Sequence, residues 1–523
     1  MTRPRASHGA LLVQRTRVRW RALAVVWSLA CVASCHSAKP LAPERYTPNL
    51  PDAFVGSTTG ADSASPVAWW REFEDERIDA LVLEALSNNR SLRAASSRMD
   101  AAAAVARDAA GAGRPRLDAS LDGARSRQNI IGVIPGNPLF TNYATSFGLT
   151  ATVSWELDLW GRIAADRSAA RNRFAATEWD LEGAAQSIAA RAVKAWIAIV
   201  EATQQTEIAA LAVRNRETWQ SSIEQRFDSG GIAALDVELA RTEAARARAD
   251  LAVARGAESE ARRALELLLG RYPEGTYAAA RTLPRVPADV PGGLPAELLD
   301  RRPDLRAARE RLMAAHQDTR SARASLYPRL SLTASGGTRS NELADLLDGD
   351  FRVWSLAGNV LAPIFDNGRL RARVDARESE FAAAEQEFTD LVLRACAEIE
   401  RLLEAERLLA TRESELALAE ASATRAEQGA LDRYGRGQTD IATLLLAQRT
   451  ALATRSERVR VRRLRLESRI DLHLALGGTL AGARRATDVA RPKVQPPTPL
   501  ERPKSDAAWT DMPEPSDVKG SNQ

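Results

Sequence analysis

The 523-residue sequence contains few of the residues on which enzymes and metal sites depend. It has four histidines and three cysteines, and aromatic residues make up only 5% of the chain. His316 and His473 lie far apart, and no metalloprotease, thiol-redox, serine-hydrolase or phosphate-loop motif occurs. We therefore expect no catalytic activity, no metal ion and no dissociable cofactor.

Long apolar runs and a strong charge excess are also lacking. Beyond the N-terminal region no stretch reaches about 18 consecutive apolar residues, the length expected of a transmembrane helix. The formal net charge is +4, but six arginines and no acidic residue lie within residues 1–34. Removing those six from the 72 basic residues leaves 66 against 68 acidic ones. This near-neutral balance predicts no nucleic-acid partner.

The N-terminal region has the pattern of a secretory signal. A basic segment ends at Arg21, and an apolar run too short to span a bilayer follows over residues 22–33. The run ends in a sequence that resembles the lipobox of bacterial lipoproteins, Val32-Ala33-Ser34-Cys35. We predict a lipoprotein signal peptide over residues 1–34.

The segments at the two ends of the chain are rich in proline and polar residues. We predict an N-terminal tether over 35–66 with a covalent lipid on Cys35, since Cys31 has a poorer context. A histidine rather than an aspartate follows Cys35, which favours the outer membrane. The stretch 481–523 is predicted to be disordered.

The region between these segments contains an internal repeat. Two short motifs recur. Asn89–Ala95 resembles Arg302–Ala308 at an offset of 213 residues, and Gly161-Arg162 recurs as Gly368-Arg369 at an offset of 207. Such self-similarity indicates a duplicated structural unit. The sequence therefore predicts two tandem repeats, over 67–290 and 291–480.

Each repeat contains two segments in which apolar and polar residues alternate, which is typical of strands. The predicted strands lie at about 116–124, 146–157, 329–336 and 352–362. The apolar positions are predicted to face lipid, and they include Phe147, Leu149, Val153, Trp155, Trp354 and Leu356. A soluble sheet with one face in water would alternate in the same way.

Each pair of strands is followed by a long run without proline. The runs extend from Ile163 to about Phe227 and from Leu370 to about Tyr434, and they end at glycine-containing turns. At about 1.5 Å per residue, each run predicts a helix on the order of 100 Å long. A soluble coiled coil would explain the helices, but not the strands placed within each repeat.

Four strands per chain are too few for a closed barrel, because bacterial outer-membrane barrels need at least about eight. An open sheet edge in lipid would leave backbone groups unpaired at several kcal/mol each. The chain is therefore expected to oligomerise. Two copies would give eight strands and a filled interior, whereas three would give twelve strands and leave a lumen.

Five motifs in order resemble those of the TolC-like outer-membrane efflux factors of the OprM/NodT type. They are Trp69-Trp70-Arg71-Glu72-Phe73, Trp155–Arg162, Leu298–Arg306, Pro363–Arg369 and Ala475–Gly478. The resemblance covers roughly residues 40–480. It implies an α+β membrane protein, a homotrimer with a 12-stranded outer-membrane β-barrel continued by a 12-helix periplasmic α-barrel.

The resemblance also implies a function and partners. The chain would be the outer-membrane channel of a tripartite efflux system, conducting substrates passively and without a cofactor. Its expected partners are outer-membrane lipid, a periplasmic adaptor (membrane fusion) protein and an inner-membrane RND-type transporter, in which most cargo specificity resides. The alternatives are an outer channel for type I protein secretion and a non-channel periplasmic coiled-coil scaffold.

In this family the two glycine turns form the periplasmic aperture. Asp236, six residues after Gly230, matches an aspartate that links neighbouring helices in the closed state, and Tyr434 matches its tyrosine partner. Arg433 and Arg436 are expected to add charged contacts to Asp236.

The sequence departs from the family in the ring of acids that narrows related channels. The acids expected six and nine residues after Gly437 are replaced by Thr443 and Leu446, with Asp440 and Arg449 about one turn away on either side. We therefore expect the closed aperture to be apolar or mixed in charge.

Overall fold

The computed structural model describes residues 51, 54, 68–134, 137–287 and 298–478. The predicted signal peptide, the lipidation site Cys35, almost all of the tether and the C-terminal tail over 481–523 lie outside these residues. No helix within the described ranges has the apolar length that crossing a membrane would require.

The chain folds into eight described helices and one four-stranded sheet. The helices are α1 Glu76–Asn88, α2 Arg90–Gly111, α3 Arg162–Asp228, α4 Ala234–Leu268, α5 Leu298–Arg301, α6 Pro303–Ala324, α7 Arg369–Gly435 and α8 Ile441–Ala475. The strands are β1 Arg116–Ile134, β2 Asn137–Leu157, β3 Arg329–Ser340 and β4 Arg352–Leu361. A 3-10 helix, Trp69–Phe73, precedes α1.

The two longest helices, α3 and α7, contain 67 residues each and are therefore about 100 Å long. Each begins directly after a glycine with positive φ, 74° at Gly161 and 79° at Gly368. A carboxylate then accepts hydrogen bonds from the first backbone N–H groups of the helix. Asp158 accepts from Ile163 and Ala164, and Asp366 accepts from Leu370.

The sheet is antiparallel in the order β1-β2-β3-β4, so that β1 and β4 form its two edges. The predicted bounds of 116–124 and 146–157 were too short, because β1 continues to Ile134 and β2 begins at Asn137. The added residues show no regular alternation of apolar and polar side chains, but their backbone groups pair across the hairpin up to Ile131 and Leu139, and again at Ile134 and Asn137. β3 likewise extends four residues beyond the predicted 336.

The shorter helices lie along the long ones: α2 and α4 pack against α3, while α6 and α8 each contact both α3 and α7. The largest buried cluster lies where the segment around α1 packs on the middle of α3. Trp69, Phe73 and Ile78 are at most 1% exposed there. The indole of Trp196 donates a 2.8 Å hydrogen bond to the carboxylate of Asp75, which also caps α1. This cluster fixes the N-terminal segment against the long helix.

Candidate functional site

The register of the sheet places the predicted lipid-facing residues on one face. Directly opposed residues in antiparallel strands point to the same side. Val153 of β2 lies opposite Leu117 of β1 and Ala334 of β3, and Ala334 in turn lies opposite Leu356 of β4. The same alternation places the other predicted residues on this face, which we call the apolar face: Phe147, Leu149, Trp155 and Trp354.

The opposite face of the sheet is polar. Thr152 of β2 lies between Asp118 of β1 and Ser335 of β3, and Thr150 lies opposite Ser120. On the apolar face, by contrast, Trp354 is 81% exposed and nothing in the described chain covers it. A broad apolar surface without cover is typical of a membrane or protein contact.

Aromatic side chains mark the end of the sheet that joins the helices. Trp155 donates a 3.2 Å hydrogen bond to the carbonyl of Gly113, and Trp160 donates a 2.7 Å bond to the carbonyl of Pro328. The ring of Trp160 stacks on Tyr327 with 4.9 Å between centroids. Aromatic rings with one polar group are enriched at this level of membrane barrels, where lipid meets water.

At the other end of the long helices, two turns reverse the chain. Gly230 has φ 78° and Gly437 has φ 71°, a conformation that residues with a side chain rarely adopt. Backbone N–H groups just beyond these glycines return to the helix ends, Gly231 to the carbonyl of Arg226 and Gln438 to that of Arg433. Each long helix therefore ends in the same type of glycine C-cap.

A small apolar cluster joins the two turns, and we call it the tip cluster. Its buried members come from all four helices that end here: Ile223 of α3, Val237 and Ala240 of α4, Tyr434 of α7, and Ile441 and Leu444 of α8. The two helical hairpins are thus held together within one chain by apolar packing.

Tyr434 is the largest buried residue of the tip cluster. Its ring meets Trp219 edge-on at 5.9 Å, and the Arg226 guanidinium lies 5.7 Å from its centroid. The hydroxyl is buried and has no hydrogen-bond partner of good geometry among the described residues. Burial, and then the negative charge of Asp236, raise the pKa of Tyr434, while Arg226 opposes this shift.

The predicted contacts of Asp236 are not formed within the described chain. Its carboxylate, on the first turn of α4, has no described hydrogen bond or ion pair with Tyr434, Arg433 or Arg436. Arg433 and Arg436 are exposed, whereas Asp236 is half-buried. The latch between Asp236 and these residues therefore stays a prediction for the closed channel.

Asp440 and Leu446 have different surroundings. The Asp440 carboxylate accepts a 2.8 Å hydrogen bond from the backbone N–H of Thr443 and caps α8, and its hydrogen bonds to Thr443 lower its pKa. Leu446 is 67% exposed and does not belong to the tip cluster. Leu446 is therefore free to contact other copies of the chain or a lumen.

Arg449 forms a buried ion-pair group that the sequence did not predict. Its guanidinium binds both carboxylate oxygens of Glu243, one of them at 3.2 Å, and joins α8 to α4. Arg216 of α3 lies 3.9 Å from the same carboxylate, and the Arg216 and Glu243 side chains are 6% and 8% exposed. The hydrogen bond from Arg449 lowers the pKa of Glu243, and burial lowers that of Arg216.

The sequence does contain a signal that Glu243 is packed against a neighbouring helix. Glu243 follows Asp236 by seven residues and Ala240 by three, and therefore lies on the same side of α4 as both. An acid on the packed side of a helix needs a cationic partner.

Comparison with known proteins identifies the family. The model of the outer membrane efflux protein family matches residues 81–271 and 294–478 of this chain. The chain belongs to this family. It is thus an outer-membrane protein of the Gram-negative type that extends into the periplasm, and its relatives are transport proteins rather than enzymes.

Individual members of the outer membrane efflux protein family match nearly their whole length. The pyoverdine export outer membrane protein OpmQ of Pseudomonas aeruginosa is 33% identical over 80% of this chain and 89% of its own. The outer membrane protein OprJ of the same organism is 32% identical over 86% and 95%. The solved outer-membrane channel OprN has a TM-score of 0.76 at 29% identity, covering 83% of this chain and 98% of its own. These matches make the chain a full-length counterpart of known efflux channels in fold.

Proposed function

We propose that three copies of this chain form the exit duct of a tripartite efflux system. Twelve strands would close a barrel in the outer membrane, and twelve helices would form a duct through the periplasm. A periplasmic adaptor and an inner-membrane RND-type transporter would deliver substrates, which the duct conducts passively.

The observation that carries this proposal is the sheet itself. It has a continuous apolar face, and its edge strands β1 and β4 have no partner on their outer sides among the described residues. In lipid these unpaired backbone groups would cost several kcal/mol each, so β1 of one copy must pair with β4 of another. In a closed ring of three copies every edge strand has a hydrogen-bonded neighbour, and the barrel is wide enough to contain a lumen.

The long helices support the periplasmic part of the proposal. At the tip each chain presents four helices, α3, α4, α7 and α8. The 67-residue α3 and α7 extend about 100 Å from the sheet to the tip, and the 35-residue α4 and α8 extend about 50 Å back from it. Three copies would supply the twelve helices of the duct. Their charged side chains give the surfaces a polar character suited to a water-filled channel.

Two further observations support the tandem repeats. The family model matches the chain twice, once in each half. The same joint also recurs in both halves. The Asn89 side chain bonds the Leu268 carbonyl, and the Arg302 side chain bonds the Ala475 carbonyl, at sequence offsets of 213 and 207 residues.

Two functional details complete the proposal. The acyl chains on Cys35 would anchor the trimer in addition to its barrel. The tips would close the channel at rest, through the Asp236–Tyr434 latch and the exposed Leu446. Because OpmQ is named for pyoverdine export, we favour small-molecule cargo over type I protein secretion.

The proposal can be tested by reconstituting the purified full chain in planar lipid bilayers and measuring its mass in detergent. We expect the mass of three copies and discrete, ion-conducting steps. A monomer that partitions into the aqueous phase and gives no conductance would contradict the channel and favour the scaffold.

A further inference from the structure

Three arginines lie on the apolar face of the sheet, in the half far from the helices. Arg125 and Arg127 of β1 lie opposite Thr145 and Tyr143 of β2. Counting in steps of two from Leu121 and Gly123 places both arginines on the apolar face. These residues are fully exposed, as is the rest of this part of β1.

The fourth strand contributes a third arginine. Arg352 lies opposite Thr338 of β3, two residues from Trp354, and therefore shares the same face. Arg125, Arg127 and Arg352, which we call the rim arginines, thus lie on the apolar face of the two edge strands. Arg352 shares a row with Leu149, and the two arginines of β1 lie farther from the helices. In the proposed trimer β1 of one copy meets β4 of the next, so each subunit boundary would bring rim arginines from two copies together.

The acidic residues of the described strands lie only on the polar face of the sheet. No acidic residue lies on the apolar face of the described strands, whereas Asp118 and Asp122 of β1 lie on the polar face. Arg339 of β3, opposite Gly148, also lies on the polar face. The rim arginines therefore face outward without a carboxylate among their cross-strand neighbours.

None of the rim arginines forms an ion pair with another described residue. The Arg127 guanidinium lies 5.7 Å from the centroid of the Tyr143 ring. An exposed arginine beside an aromatic ring, directly past an apolar surface, is the arrangement expected at a lipid–water interface. The Arg352 guanidinium lies beside Gly349, which Asp348 and Asp350 flank in the sequence, whereas Arg125 and Arg127 have no acidic cross-strand neighbour and favour an anionic partner over a neutral one.

We propose that the rim arginines bind the phosphate groups of the phosphorylated glycolipid in the outer leaflet of the outer membrane. The inference rests on the proposed function, because the helices must lie in the periplasm for this end of the sheet to reach the outer leaflet. A guanidinium matches a phosphate through two parallel hydrogen bonds, and the apolar face directly below would hold the acyl chains of the same lipid. Bound glycolipid would thereby bridge neighbouring copies.

The test uses the purified full-length trimer in detergent, with diphosphoryl lipid A as the probe and native mass spectrometry as the readout. The test variant is Arg125→Gln/Arg127→Gln/Arg352→Gln. The control is Arg339→Gln, which removes one arginine charge from the polar face of the same sheet. We expect the wild type and the control to retain lipid A, and the triple variant to bind it at least about tenfold more weakly.

A second probe, lipid A stripped of both phosphates, distinguishes phosphate recognition from apolar contact. Equal retention of the two lipids by the wild type, or undiminished binding by the triple variant, would overturn the inference. Channel formation by the triple variant in planar bilayers shows that it still folds. A wild type that forms neither trimers nor channels would instead refute the proposed function, and the lipid site with it, so the two failures can be told apart.

Discussion

The side-chain amide of Asn89 donates a 2.9 Å hydrogen bond to the backbone carbonyl of Leu268, which ties the beginning of α2 to the end of α4. The same side chain accepts from the backbone N–H of Leu92 and so caps α2. Arg302 and Ala475 form the equivalent joint between α6 and α8 at 3.1 Å. In each half of the chain, two shorter helices are thus held together at their ends by one side chain.

Replacing Asn89 by alanine should therefore remove two interactions at once. A lost helix cap costs about 1 kcal/mol, and a lost buried hydrogen bond costs about as much again. We expect Asn89→Ala to lower the denaturation midpoint of the detergent-solubilised protein by an amount equivalent to about 2 kcal/mol. The neighbouring Asn88 is exposed, so Asn88→Ala serves as the control and should change stability by less than about 0.5 kcal/mol. Equal midpoints for the two variants would contradict the joint.

A pair of arginine substitutions tests the two faces of the sheet. Val153 lies on the apolar face opposite Leu117, and Thr152 lies on the polar face opposite Asp118. An arginine near mid-depth on a lipid-facing strand costs about 2–4 kcal/mol, whereas a lumen-facing one costs little. Val153→Arg should therefore impair folding into lipid vesicles, measured by urea titration, far more than Thr152→Arg. Similar tolerance at both positions would refute the assignment of the faces.

The Glu243–Arg449 pair should stabilise the tip in a pH-dependent way. Because its folded-state pKa lies below the ordinary value of about 4.3, Glu243 stabilises the fold fully above that pH. The contribution is lost as the pH falls through the lower, folded-state pKa. Glu243→Gln should cost about 1–3 kcal/mol at neutral pH, with the half-exposed Arg449 limiting the effect.

The control for this pair is Glu238→Gln on the same helix. Glu238 pairs with Arg241 but its side chain is 68% exposed, so its loss should cost little. Thermal denaturation at pH 7 and at pH 3 measures both variants. A Glu243→Gln deficit that does not shrink in acid would contradict the ion-pair account.

The elements that the sequence predicted well are those with local signals. The long helices begin and end within one residue of the predicted Ile163, Phe227, Leu370 and Tyr434, because glycine turns are readable without tertiary context. The polar outer halves of β1 and β2 were missed because their pairing depends on the backbone of the partner strand. Glu243 was missed because its partner lies 206 residues away.

The predicted acylation site can be tested by metabolic labelling. Cys35 lies outside the described residues, so its assignment rests on the sequence Val32-Ala33-Ser34-Cys35. We expect Cys35→Ala to abolish incorporation of labelled fatty acid, while Cys31→Ala retains it. Labelling that disappears only in Cys31→Ala would move the site to Cys31. Because the proposed barrel would also anchor the chain, the unlabelled Cys35→Ala protein should still be found in the membrane fraction whenever it folds.

The closing of the aperture can be tested at Tyr434. The hydroxyl is buried without a partner, while Asp236 lies near enough for its charge to raise the pKa of Tyr434. We predict that the closed channel brings the two groups into a hydrogen bond between α4 and α7. A hydrogen bond to a charged group is worth about 1.5–3 kcal/mol, so three symmetric copies would hold the tip shut and still yield to an adaptor.

Asp236→Ala/Tyr434→Phe should accordingly raise single-channel conductance in planar bilayers without impairing trimer assembly. Tyr434→Phe alone removes only the contact of the hydroxyl with Arg226, which lacks good hydrogen-bond geometry, so thermal stability should change by less than about 1 kcal/mol. Leu446→Ala is the matched comparison, because this 67% exposed side chain adds little to packing within one chain. If Leu446→Ala raises conductance and the double variant does not, an apolar constriction rather than the Asp236–Tyr434 bond closes the duct.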